Sequence, residues 1–348
     1  MKKQDMLNLF AGVVALMLSG AGFAQTGTLS NDETTLKTAT ICVWDMIGKS
    51  GPITDAMEEY RINALKWGTE LKLETYTSER IATEQFRSKV CDGALVSGLR
   101  VKDFIKYTGS INAVGAIPDN EHLKLLYRVL ANPKSAPKMS TGPFEIAGIV
   151  PGGAAYVFVR DRAINSIAKA SGRKVAVMDY DEYQQQMIAT IGGTPIPVNI
   201  TTAGGKFNNG SVEVLPAPGL AYEALELYKG MEPDGGVIRF PFAQLSMQLI
   251  IWKDKFPKDY GQQSREYFYA NFDKALEVVD AATKVIDPKY WIDIPEEDKQ
   301  HYEMLMNETR TGAVRTGYWD KDMILLQRRV RCKFDSSRAE CSKPKDVL

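Results

Sequence analysis

Histidine is scarce in this chain: His122 and His301 are the only two among 348 residues. Each sits in a charged, helical-looking stretch with no second histidine or acid cluster nearby, so each reads as a solvated helix residue rather than a ligand. The nucleophile elbow G-x-S-x-G, the metal motif H-E-x-x-H, a phosphate loop and a G-x-G-x-x-G turn after a strand are all missing. Asp179/Asp181 read as a turn with a helix cap, and Glu296/Glu297/Asp298 as a helix first turn, where acids favour the dipole. The expectation is therefore no enzyme, no metal and no cofactor. An excess of either charge is also lacking, since 43 Lys and Arg balance 43 Asp and Glu. Such a chain has no bulk attraction to nucleic acid or anionic lipid. Long apolar runs are absent beyond the first residues. The longest later candidate, Leu245 to Trp252, has the length of a core helix, so the protein is not expected to be membrane-embedded.

What is present begins at the N-terminus. Lys2 and Lys3 precede an apolar run from Leu7 to Leu18, interrupted only by Asn8, and small residues lead to Gly22-Phe23-Ala24. That order is a secretory signal peptide over residues 1–24. No cysteine follows the run to carry a lipid, so the mature chain is expected free in the periplasm, with net charge −1. About 320 residues remain, enough for one large domain or two lobes with separate cores. Four cysteines in an oxidising compartment suggest bridges. Cys332 and Cys341 flank a short polar loop near the C-terminus and are expected to pair. Cys42 and Cys91 each open an apolar strand-like run; neighbouring strands would permit a bridge, and two separate buried thiols remain the alternative.

Strands and helices alternate along the chain. Thr40–Trp44, Leu71–Tyr76 and Val90–Val96 read as strands, with helices at Pro52–Trp67 and Ile81–Ser88. Pro133 to Gly153 reads as a loop or crossover. A second series starts at Ala154–Val159 and includes Lys174–Met178, a helix from Asp181 to Ile191, a Gly-Gly break, and short strands at Val212–Leu215 and Gly236–Phe240. From Gly261 to Ile286, apolar residues recur at helical spacing, predicting one long amphipathic helix able to span two lobes.

At "LKLETYTSERIATEQFRSKVCDGALVSG" (Leu71 to Gly98) the chain resembles the TRAP-type periplasmic solute-binding proteins, in which a strand, loop and short helix lead to an acid-glycine turn opening the third strand. Ile191-Gly192-Gly193-Thr194-Pro195-Ile196-Pro197 is similar to that family's central "lGa-x-P-x-P", and Asp234-Gly235 to its following turn. The likeness runs in order from Ile41 to Ile286. It implies an α/β, two-lobed periplasmic-binding-protein-like fold with a long lobe-spanning C-terminal helix. Lobe I would comprise residues 38–150 with about 241–275, lobe II 151–240 with about 276–330, and 331–348 a stapled tail. The implied function is capture of a small organic molecule between the lobes for delivery to a membrane permease. The alternative is a stand-alone ligand-binding, sensor or drug-sequestering protein. The chain is also similar to a subgroup of exported solute-binding proteins, some of which carry a resistance-efflux label. A pump requires many membrane helices and an adaptor a long heptad hairpin. Neither is here, so any role in resistance would be indirect.

The resemblance also marks a departure. The family's signature arginine would fall in Lys174-Val175-Ala176-Val177-Met178, and a second near Gly153-Ala154-Ala155-Tyr156; both places lack one. Arg239, between apolar neighbours, is the first substitute candidate for a carboxylate fork, with an inter-lobe salt bridge as its alternative; Arg100 is the second. Trp44, Tyr156, Tyr180 and Phe240 at expected strand ends would line a pocket wall. Asp45, Asp179 and Asn199 would orient the ligand.

Overall fold

The computed structural model describes residues 36–348 apart from 167 and 345; the signal-peptide reading of residues 1–24 lies outside them. The architecture is one mixed sheet of ten strands. β1 (Lys37–Trp44), rich in Thr, Ile and Val, pairs in parallel with β2 (Thr69–Tyr76) and with β3 (Gly93–Ser97). The helix Pro52–Leu65 joins β1 to β2, opening on a proline whose missing N–H would be unbonded there anyway. A two-residue strand, β4 (Ser140–Thr141), leads into β5 (Phe144–Val159), and then come β6 (Lys174–Met178), β7 (Thr194–Val198) and β8 (Val214–Pro218). β9 (Gly236–Trp252) runs back the full length of the sheet, and β10 (Trp291–Ile292) pairs with its start. The strand order is β2-β1-β3-β9-β5-β8-β6-β7.

Two long antiparallel strands, β5 and β9, hold the sheet together. The second half of the Pro133–Gly153 stretch read as a loop, from Phe144 on, and the helix-length run Leu245–Trp252 belong to these strands. Proline and glycine misled the reading because here they mark bulges. The β5/β9 register shifts between Pro151 and Gly153, and Gly153 adopts φ +92°, a conformation glycine takes without strain. Pro241 lies in the part of β9 that has no β5 partner between Ile238 and Ala243, where a missing N–H costs nothing.

Buried side chains divide at the crossing. The first cluster gathers β1, β3, the first part of β5 and the last part of β9, with Phe86, Tyr260, Phe268 and Phe272. A second, with Phe158, Phe207, Leu215 and Tyr290, and a third, with Val175, Val177 and Ile188, pack on β6 and β8. The helix expected over Gly261–Ile286 is two helices, Tyr260–Ala270 and Phe272–Lys284, separated at Asn271. The Asn271 amide donates to the Tyr267 carbonyl at 2.9 Å, a local bond that competes with helix propagation. The pair still spans the crossing, from Phe268 and Phe272 in the first cluster to Ile286 in the second. The helix Lys321–Phe334, assigned mostly to the second lobe from sequence, buries Met323, Leu326 and Val330 in the first cluster. Cys42–Cys91 and Cys332–Cys341 are bridged, with Cα separations of 5.8 and 5.6 Å.

Candidate functional site

The parallel strands β1, β3, β6 and β8 end toward one cleft where β5 and β9 cross, the place where open α/β sheets present ligand groups. Its inner part spans about 860 Å³, counting the space open to solvent. A second part of about 820 Å³ adjoins it through shared wall residues Leu99, Met178, Pro216, Ala217, Pro218 and Leu245. Most of the wall is aliphatic or aromatic, from Trp44 and Met46 on one side to Ala176, Val177 and Met178 on the other.

Each candidate residue has a definite place. Trp44 and Tyr180 lie in the cleft wall. Arg100, Tyr180 and Asn199 line a polar recess of about 450 Å³ that meets it. Arg100 lies 3.4 Å above the Tyr180 ring, a cation–π contact between the end of β3 and the end of β6. Its Nε is 3.6 Å from Glu79, and both side chains are nearly buried. Burial pushes the Glu79 carboxyl upward, while the Ser97 N–H and Arg100 pull it back. Asn199 caps the helix Ile200–Asn208, accepting from the Thr202 N–H at 3.0 Å.

Five candidates lie elsewhere. Asp45 is buried, and its carboxylate accepts from the N–H groups of Ile47, Ile53 and Thr54, tying the loop to the next helix. Asp179 is exposed and outside the cleft wall. Tyr156 packs edge-on against Trp291 at 5.1 Å, and Phe240 lies 5.7 Å from Tyr302. Arg239 donates to Asp293 at 2.8 Å and covers Trp291 in a separate surface groove. The strand-end premise fails for these last two because β9 continues past them for another dozen residues.

The sequence reading missed residues from the helix after β6 and from the segment between the last two long helices. Tyr183 and Gln184, just after β6, and Tyr318 and Trp319, between the last two long helices, close the inner cleft. Asp181 gathers them. It caps the helix Glu182–Thr190 and accepts from the Gln184 side-chain amide at 3.1 Å and from the Tyr318 hydroxyl. Lys102, beyond β3, lies 3.4 Å from the same carboxylate and 3.3 Å from the Tyr318 ring centre. Burial lowers the Lys102 pKa, and Asp181 opposes that. The Tyr318 hydroxyl is raised far above an ordinary phenol by burial beside that carboxylate. The aromatic run Tyr318-Trp319 before a helix-capping Asp320 is the one local signal that could have pointed here. His122 hydrogen-bonds Asp119, and among the described residues no group of three or more His, Cys, Asp or Glu is placed to hold a metal.

This topology, two parallel triplets joined by crossing strands around a cleft, is the fold of the TRAP periplasmic solute-binding proteins. The chain is similar to one from Haemophilus influenzae crystallised with L-gulonate (TM-score 0.69, 12% identity, 84% of this chain and 99% of that one). It is similar also to one from Desulfovibrio salexigens with orotic acid (TM-score 0.67, 15% identity, 85% and 99%). A model of the family "Solute-binding protein AdeT 1/2" matches residues 30–346, and the chain belongs to that family. It is 40% identical over 300 residues to the probable solute-binding protein AdeT1 of Acinetobacter baumannii, covering 86% of this chain and 99% of the relative. AdeT2 of the same organism is 27% identical over 233 residues, covering 67% and 98%. No helix among the described residues is long and apolar enough to cross a membrane.

Proposed function

We propose that this solute-binding protein works in the periplasm as a clamp. Its two halves, taken as lobes that meet along β5 and β9, close over one small organic molecule and present it to a membrane permease. The observation that carries this reading is the pair of contacts across the cleft, Arg100 over Tyr180 and Lys102 with Asp181, around an apolar space. Those contacts join residues after β3 to residues after β6, so they break when the halves separate and re-form when they close. That is a hinge with a defined closed state. The organic acids crystallised with the structural neighbours support a small organic molecule as the cargo in general.

Native mass spectrometry of protein purified without refolding identifies a retained molecule. Small-angle scattering with and without that molecule should then show a smaller radius of gyration when it is bound. An unchanged radius at saturation rejects the clamp. Uptake of the molecule by cells with and without the gene separates a transport receptor from a stand-alone binding protein, because only the receptor changes uptake.

A further inference from the structure

The walls of both parts of the cleft contain no acid, lysine, arginine or histidine. An organic anion seated there would give up its water with no cation to replace it, a cost that a bound carboxylate normally avoids by pairing. The nearest cations are already committed. Arg100 is held by Glu79 and Tyr180, and Lys102 by Asp181 and Tyr318. Arg310, buried nearby, donates to the carbonyl of Val114 and to Asn307, and it does not reach the wall.

Residues of the wall instead carry buried hydrogen-bond donors, just behind its surface, that lack a partner. Their clearest source is a chain of buried polar groups. The Gln248 amide meets the Thr108 carbonyl at 2.9 Å, so the contacting atom is Nε2. The same Nε2 donates to Ser246 Oγ at 3.0 Å, and Ser246 Oγ donates onward to Asn112 Oδ1 at 2.9 Å. That order leaves Asn112 Nδ2 as the end of the chain, and it has no partner although Asn112 is only 4% exposed and lines the inner cleft. Gly98 lets this cluster pack against its backbone: a Cβ there would lie 2.6 Å from Asn112 Nδ2 and 2.4 Å from Ser246 Oγ. Trp44 Nε1 and the Tyr180 hydroxyl, both on residues of the second part of the wall, also lack partners. A buried donor left unmatched is unfavourable, and a ligand acceptor resolves it.

We infer that the cleft selects an uncharged organic molecule, apolar over most of its surface and carrying acceptor oxygens of the ketone, ester or amide kind, in place of an organic anion. This deepens the receptor reading above and rests on it. Charge-free walls disfavour ions of either sign, and the unmatched indole and amide donors favour carbonyl oxygens over further donors.

Calorimetry on the mature protein, shown empty by native mass spectrometry, tests this with three probes on one skeleton: 2-acetylnaphthalene, 2-naphthoate and 2-naphthylmethylammonium. The ketone should bind at least tenfold more tightly than either ion. Leu99→Arg, which places a cation at the boundary of the two parts, should reverse the preference toward 2-naphthoate by at least tenfold. Met178→Arg serves the same purpose if the first variant does not fold by circular dichroism. An ion that binds the unaltered protein as tightly as the ketone overturns the ligand class and leaves the receptor reading standing. Failure of all three probes to bind at millimolar concentration overturns the ligand class and leaves the receptor reading to the scattering and uptake tests. An arginine variant that folds and still prefers the ketone shows that wall charge does not set selectivity, and overturns the inference.

Discussion

The two halves of the sheet follow one plan and differ in how firmly each is held. In one, β1 pairs with β2 over eight residues and with β3, above a single continuous core. In the other, β6 pairs with β7 over five residues and meets β8 in register only at Val175 and Val214, and its apolar side chains form two separate clusters. The edge strand β7 carries Pro195 and Pro197, which blunt it against further pairing and donate nothing to the ladder. Cys42–Cys91 fastens β1 to the approach to β3, and the second half has no counterpart among the described residues. Cohesion of this kind sets local opening free energy. On the clamp proposed above, the comparison makes the first half the platform and the second the wall that moves. Hydrogen exchange should be slower in β1 and β3 than in β6 and β7.

The largest effect that would break this contrast is loss of the platform bridge. Cys42→Ala with Cys91→Ala opens a closed loop of 49 residues, which in the chain-entropy account is worth about 4 kcal/mol. The matching change at Cys332 and Cys341, with a separation of 9, is worth about 2.5 kcal/mol, and the ion pair of Arg331 with Glu340 at 2.6 Å still holds the tail. Urea denaturation of the two double variants should show that order. Equal losses would mean that the first half does not depend on its bridge.

Next in size is the contact that couples the halves. Asp181→Ala leaves Lys102 buried without its carboxylate and Tyr318 without its acceptor. Breaking a buried pair costs about 3–5 kcal/mol, and the low end applies because Lys102 keeps the Tyr318 ring and some solvent. The variant should lose about 3 kcal/mol, and its unliganded scattering radius should grow. A destabilised variant with an unchanged radius would make Asp181 a local cap alone.

What could be read from the sequence follows from where each part of the cleft comes from. Trp44, Arg100, Tyr180 and Asn199 reach the cleft or its recess because each lies just after or at the end of a short parallel strand, and local pattern predicts such ends well. The crossing strands were harder. Their proline and glycine residues look like loop residues in sequence and prove to be bulges inside β5 and β9, so the reading broke each strand in two. Asn112, Tyr318 and Trp319 arrive from a short 3₁₀ segment and from the turn between the last two helices. Only tertiary packing brings those segments to the cleft, and no periodicity marks them. The empty arginine places, within Lys174–Met178 and near Gly153–Tyr156, were legible, and Ala176 and Ala155 from those stretches stand in an uncharged wall.

The smallest expected effect belongs to Arg239, which sequence made the leading anion reader. Its side chain is 52% exposed, and its partner Asp293 is more exposed still, so their ion pair is screened and contributes less than about 1 kcal/mol. The guanidinium also covers Trp291 at 4.9 Å, an exposed cation–π contact of similar size. Arg239→Ala should therefore move the urea midpoint slightly and leave 2-acetylnaphthalene binding within twofold of the unaltered protein. Asp181→Ala should change both, so the pair of variants separates a cation outside the cleft from an acid that fastens its two walls. Calorimetry on Arg239→Ala that shows binding weakened tenfold or more would move the site to the groove beside Asp280 and Trp291, and with it the distinction between a fixed platform and a closing wall.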